Sequence, residues 1–152
     1  MLSNVPTSVV IVTGLDANSE PHGITIGTFT SVSLEPPLVG FLPGINSTSW
    51  PLIASNGSFC VNVLSSQQTE LCWKFAKEAE NRFDGINWSA APSGSPIIDG
   101  SLAWIDCAIH SITEFGDHLL VVGRVEHLMK NDPAVDAMVF FAGKVTSVTR
   151  SD

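Results

Sequence analysis

Two rows of small polar side chains are the most open chemistry in this sequence. Along residues 23–34, a period of two puts Thr25, Gly27, Ser31 and Ser33 on one face, interrupted only by Phe29. The other face carries Ile24, Ile26, Val32 and Leu34 with Thr28 and Thr30. Hydroxyls around a glycine leave room for a flat molecule to approach the backbone, although the same pattern describes a solvated sheet face. The second row is Asn46-Ser47-Thr48-Ser49, ahead of a helical turn over residues 50–55. It either offers hydroxyls and amides to a ligand or caps that turn. Nucleophile and metal signatures are missing: there is no G-x-S-x-G, H-E-x-x-H, P-loop or G-x-G-x-x-G. His22, His110, His118 and His127 lack metal-ligand spacing, and each taken alone reads as a satisfied polar residue. The carboxylates are scattered. A polar pocket without acid, base or nucleophile implies that a cofactor carries the reactivity, and no metal site is expected.

The elements that must position these rows are mostly strands. Residues 8–13 form a continuous β-branched run, the pattern of a strand buried on both faces. Residues 14–23 hold Asp16, Asn18, Pro21 and Gly23 and read as a hairpin connection into a strand over 23–34, stopped by Pro36 and Pro37. Short core strands follow at 38–42 and 59–64. Ser65 and Gln68 make an S-x-x-Q capping box for a helix with Leu71, Cys72, Phe75, Ala76 and Ala79 on one face. Glu70, Lys74 and Glu78 form an i,i+4 ladder on its other face. Residues 81–100 read as a long Gly, Pro and Ser-rich loop, suited to a lid or a dimer arm. Two long strands, 102–114 and 118–130, meet at Gly116-Asp117, and a last hairpin, 137–141 with 144–149, turns at Ala142-Gly143. Antiparallel hairpins with one or two short helices are most economically closed into a barrel, so the fold class is mainly β, all-β or α+β.

Composition bounds the function. The 152 residues suit a single domain over 1–152, large enough for a core without staples. Charged residues make up only 14%, which leaves surface for a partner subunit to cover. Seven Lys and Arg against fifteen Asp and Glu give a formal charge of −8, which excludes nucleic-acid binding. No apolar run reaches the ~20 residues of a membrane span, and no signal-peptide layout precedes residue 6. The N-x-[ST] triplets at Asn46, Asn56 and Asn87 are therefore ordinary loop chemistry. Cys60, Cys72 and Cys107 are odd in number and sit among apolar residues, as buried free thiols of a cytoplasmic protein.

The stretch from His22 to Pro37, HGITIGTFTSVSLEPP, resembles the flavin-binding signature of the flavin reductase-like family, the FMN-binding split barrels that serve as small components of two-component monooxygenases. Further features fall in the family's order: Pro6-Thr7, Ser47-Thr-Ser-Trp-Pro51, Gly57-Ser-Phe-Cys-Val-Asn-Val-Leu64, Gln67, Phe75-Ala76 with Arg82-Phe83, Gly116-Asp-His118 and Gly123-Arg-Val125. The likeness spans nearly the whole chain.

The resemblance implies a split β-barrel, normally a homodimer, that reduces FMN or FAD with NADH or NADPH for a partner monooxygenase. Thr25, Gly27 and Thr28 would lie against the isoalloxazine, with Ser31 and Ser33 toward the ribityl chain. Ser47, Thr48 and Ser49 would meet the phosphate, and Lys77 or Arg82 would add positive charge. His118 would position the nicotinamide without moving a proton. Phe141 and Gly143 are weaker candidates for the same wall and read better as the closing hairpin. Three departures stand out. Gly27-Thr28 replaces the usual Asn or Asp followed by Ser or Ala, Ser8 replaces a glycine, and the N-terminal helix of many members is nearly absent. The rival expectations are a flavoprotein that keeps FMN and passes electrons on, and a dimer that binds flavin without turnover.

Overall fold

The computed structural model describes residues 1–77, 81–131 and 135–151. After a 3-10 turn at Leu2–Asn4, the strands are β1 (Thr7–Ser8), β2 (Val10–Leu15), β3 (Pro21–Ile26), β4 (Thr30–Ser33) and β5 (Leu38–Phe41). Helix α1 (Ser49–Ala54), strand β6 (Ser58–Val63) and helix α2 (Thr69–Ala76) follow. Then come β7 (Trp88–Ala90), β8 (Pro96–Ile98), β9 (Ala103–Phe115), β10 (His118–Lys130), β11 (Ala137–Phe141) and β12 (Lys144–Val148). The expected mainly antiparallel β architecture with two helices is what forms. Among the described residues, no helix is long and apolar enough to cross a membrane.

Seven strands pair in the order β3-β2-β6-β9-β10-β5-β4. The two edges of this sheet, β3 and β4, are consecutive in the chain and separated only by residues 27–29. Laid flat, edges six strand spacings apart would be about 29 Å from each other. The chain from Ile26 to Thr30 reaches at most about 14 Å. The sheet must therefore curl until its edges nearly meet, which is a barrel with an open seam. This corrects the single strand expected over 23–34: the ladder breaks at the seam, and the segment supplies both edges. Past the break Val32 and Leu34 are exposed, Leu34 to 89%.

Strand β2 earns its β-branched run by being covered on both sides. Val10 and Val12 face the barrel interior with Phe41, Trp50, Ile53, Phe59 and Val61. There the rings of Phe41, Trp50 and Phe59 meet edge to face at 5.1–6.2 Å. Val9 and Ile11 face the other way, onto Leu64, Cys72, Phe75, Ile98 and Met138. The capping box forms in one direction: Gln68 Oε1 accepts from the Ser65 N–H at 2.9 Å, while its amide reaches the Asp99 carbonyl at 3.0 Å. Lys74 donates to the Asp84 carbonyl (2.6 Å), tying α2 to the segment after it rather than to Glu70. Glu78 and Ala79, expected on the two faces of this helix, lie outside the described residues.

Residues 81–100 are not a free loop. Their β7–β8 ribbon is pinned to the barrel by a buried polar knot. The Thr13 hydroxyl donates to the Pro96 carbonyl (2.6 Å), and Asn62 Oδ1 accepts from the Ile98 N–H (2.9 Å). Asp106 takes both the N–H (2.8 Å) and the hydroxyl (2.6 Å) of Ser93.

Candidate functional site

The seam leaves backbone open to solvent. Gly27 and Thr28 are exposed between the two edge strands, and the Leu42 N–H donates to Thr28 Oγ1 at 2.9 Å. Leu42 begins the connection from β5 to α1, and that connection visits each part of the site in turn. The Pro43 carbonyl accepts from the Leu119 N–H (3.0 Å) and Gly44 bridges to His118, so His118 stands beside the seam. Its Nδ1 lies 2.7 Å from Asp117 Oδ1, and 47% of its side chain is exposed. That bond to His118 holds the Asp117 carboxyl below its ordinary range. Further along, Ser47 Oγ accepts from the Trp50 N–H (3.2 Å) and shapes the start of α1. At Ser49 the connection meets Arg82, whose guanidinium donates to Ser49 Oγ (2.9 Å) and to the Gly23 carbonyl (2.8 Å).

Arg82 is buried and sits in a wall of a cavity of about 960 Å³. Its position follows from the residue next to it. Phe83 packs edge to face between Phe75 (5.0 Å) and Trp88 (6.2 Å), fixing the backbone that carries the guanidinium. Gly23 completes the approach, because a Cβ there would stand 2.8 Å from the Phe75 ring. Thr48, Ser49, Leu52, Pro21 and Trp88 line the cavity with Arg82, and its charged rim holds His22, Asp16, Glu20 and Asp84.

Of the predicted site residues, this arrangement joins Thr48, Ser49 and Arg82 at the cavity, with Ser47 one residue before it. Gly27, Thr28 and His118 gather at the seam. Thr25 lies on β3 beside them, but its hydroxyl donates to the Cys72 carbonyl (2.7 Å), so its side chain serves α2. Ser31 and Ser33 lie on β4, and exposed Lys77 ends α2; none of the three lines the cavity. Phe141 and Gly143 belong to the closing hairpin, whose turn residues Ala142 and Gly143 have φ of 52° and 76°. Sequence reasoning missed His22 with Asp16, the aromatic wall of Phe83 and Trp88, and the buried knot of Thr13, Asn62 and Asp106. Only the Asp16-x-Asn18 turn chemistry hinted at the first of these.

The residue types fit a flat, phosphate-bearing molecule: exposed backbone at the seam, and hydroxyls leading to a guanidinium in a cavity. The cysteines offer no nucleophile. Burial, and then the neighbouring Asp106, push the Cys107 thiol up to about 12, and burial raises Cys60 and Cys72 as well. Among the described residues no cluster of metal-ligating side chains exists. The flavin reductase like domain matches residues 2–149. The chain belongs to the flavin reductase-like family. As a member it is a flavin oxidoreductase. It is 48% identical to a flavin reductase of Pseudomonas putida over 143 residues, 94% of this chain and 84% of the relative. It is 40% identical to the reductase subunit of a flavin-dependent monooxygenase from Rhodococcus jostii, over 97% of this chain and 75% of that one. A solved NADH:FAD oxidoreductase from Streptomyces globisporus, in complex with NAD and FAD fragments, superposes with a TM-score of 0.90 at 34% identity, covering 97% of this chain and 88% of its own. That solved oxidoreductase shares the mainly β fold seen here.

Proposed function

We propose that this family member is an NAD(P)H-dependent flavin reductase that supplies reduced FMN or FAD to a partner monooxygenase. The observation that carries the reading is the continuity of residues 42–49, which tie Thr28 and His118 at one end to Arg82 at the other. A flavin bound along that path would accept hydride from a reduced nicotinamide, and the chain's own residues bind and orient. Gly27 and Thr28 offer backbone and a small side chain to the ring. Ser47, Thr48, Ser49 and Arg82 hold the phosphate. His118, steadied by Asp117, positions the nicotinamide at the open side of the seam. Thr25, Ser31, Ser33 and Lys77 contribute backbone, ribityl contacts and long-range charge in the same proposal.

The exposed apolar side chains Val32, Leu34, Ile112, Phe115, Leu128 and Met129 support a homodimer. The three free thiols fit a reducing cytoplasm. The test is anaerobic mixing of the protein with FMN or FAD and NADH or NADPH, following loss of the flavin's visible absorbance. Catalytic bleaching of excess flavin is the expected outcome and names both cosubstrates. Bleaching of bound flavin alone, or none, overturns the reductase reading in favour of electron transfer or simple binding.

A further inference from the structure

The cavity wall contains one ionisable pair to which the flavin reading gives no task. His22 on β3 faces Asp16 across the hairpin turn, with Nε2 2.8 Å from Asp16 Oδ2. The other carboxylate oxygen accepts from the Asn18 N–H (2.8 Å) and the Glu20 N–H (3.0 Å), so the carboxylate is fixed by the turn it builds. The bond from His22, and then that from Glu20, hold the Asp16 carboxyl below its ordinary range. An ionised carboxylate only accepts, so Nε2 carries a proton. The ring's second nitrogen, Nδ1, is therefore the one that changes role, from acceptor when the ring is neutral to donor when it is charged.

Among the described residues, the charged groups that line the cavity with this ring are Asp16 and Glu20 from the β2–β3 turn, and Arg82 and Asp84 from the segment before β7. Helix α1 presents only Thr48, Ser49 and Leu52. With the ring neutral, three carboxylates outweigh one guanidinium, an unfavourable wall for a phosphate anion. A proton on His22 adds a second cation one residue from Gly23, whose carbonyl anchors Arg82.

We propose that His22, oriented by Asp16, is an anion-binding side chain of this cavity and takes up a proton from solvent as the flavin's phosphate enters. The proposal rests on the flavin reading above. The proton resides on the imidazole, no bond of the flavin changes, and riboflavin, which lacks the phosphate, draws no proton.

Isothermal titration of the full chain with FMN and with riboflavin tests this, at about pH 7.5 in two buffers of different ionisation enthalpy. Phosphate monoesters are already almost fully dianionic there, so a proton taken up on binding is not one the phosphate brings or needs. The expected result is uptake of roughly half a proton or more per FMN and about none per riboflavin. In His22→Gln the uptake with FMN falls to near zero and the FMN Kd rises about 3–10-fold, with riboflavin binding unchanged. Asp16→Asn, which releases the ring from its fixed partner, lowers the uptake as well and serves if His22→Gln does not fold. Equal uptake with both flavins, or equal uptake in wild type and variant, overturns the proposal. FMN binding with no proton uptake overturns it while leaving the flavin reading intact. A wild-type chain that binds neither flavin overturns this proposal, and one that binds no FAD either defeats the flavin reading with it.

Discussion

The cavity beside Arg82 and the knot beneath the β7–β8 ribbon use similar polar side chains, yet they differ in where their hydrogen-bonding capacity ends. In the knot it ends inside the protein. Asn62 bonds the Ile11 carbonyl, Thr13, the Pro96 carbonyl and the Ile98 N–H, and Asp106 closes on Ser93. At the cavity, hydroxyls and a guanidinium border open space. A buried polar group is costly unless paired, so a closed set of partners marks a device for holding elements together. Side chains that border a cavity are within reach of a ligand. Burial alone does not distinguish them, since Arg82 and Asn62 are both buried.

Three substitutions sharpen or break that contrast. The largest effect on stability is expected from Asn62→Leu, which strands the Ile98 N–H while the Pro96 carbonyl keeps Thr13 as a donor: a loss of about 2–3 kcal/mol in urea unfolding. The flavin Kd of the folded fraction should move less than about twofold. A parallel loss of flavin affinity would make the knot part of the site and erase the distinction. Arg82→Met should raise the FMN Kd about 10–100-fold, as loss of charged hydrogen bonds predicts, with riboflavin within about threefold. Equal weakening of both flavins would move the phosphate elsewhere. His118→Ala should raise the nicotinamide KM about tenfold and leave the flavin Kd within about twofold. Losses of similar size in steady-state KM and in flavin titration would sink the assignment of His118 to the nicotinamide.

Much of the framework was legible because its signals are local. The continuous β-branched run became β2, and the Gly116-Asp117 turn joined β9 to β10 within a residue of the expected ends. The S-x-x-Q pair became a working contact at the start of α2. The expectations that failed depended on distant partners. Period-two alternation runs from Ile24 to Leu34 with an interruption at Phe29, and that interruption does not say that pairing passes from β2 to β5. The loop over 81–100 looks unstructured in composition, because the groups that pin it, Thr13, Asn62 and Asp106, lie in three other strands.

By itself, then, the sequence determined the β-rich class, most strand positions and the family's ordered motifs. Propensity, periodicity and turn chemistry act over a few residues and are written there. Tertiary structure alone decided the seam at residues 27–29, the cavity shared by the β2–β3 turn, α1 and the segment around Arg82, and the pairing of His22 with Asp16. Those depend on which distant strands pair and how far a curled sheet brings its edges together, a balance of ladder and packing energies that no local stretch of chain contains.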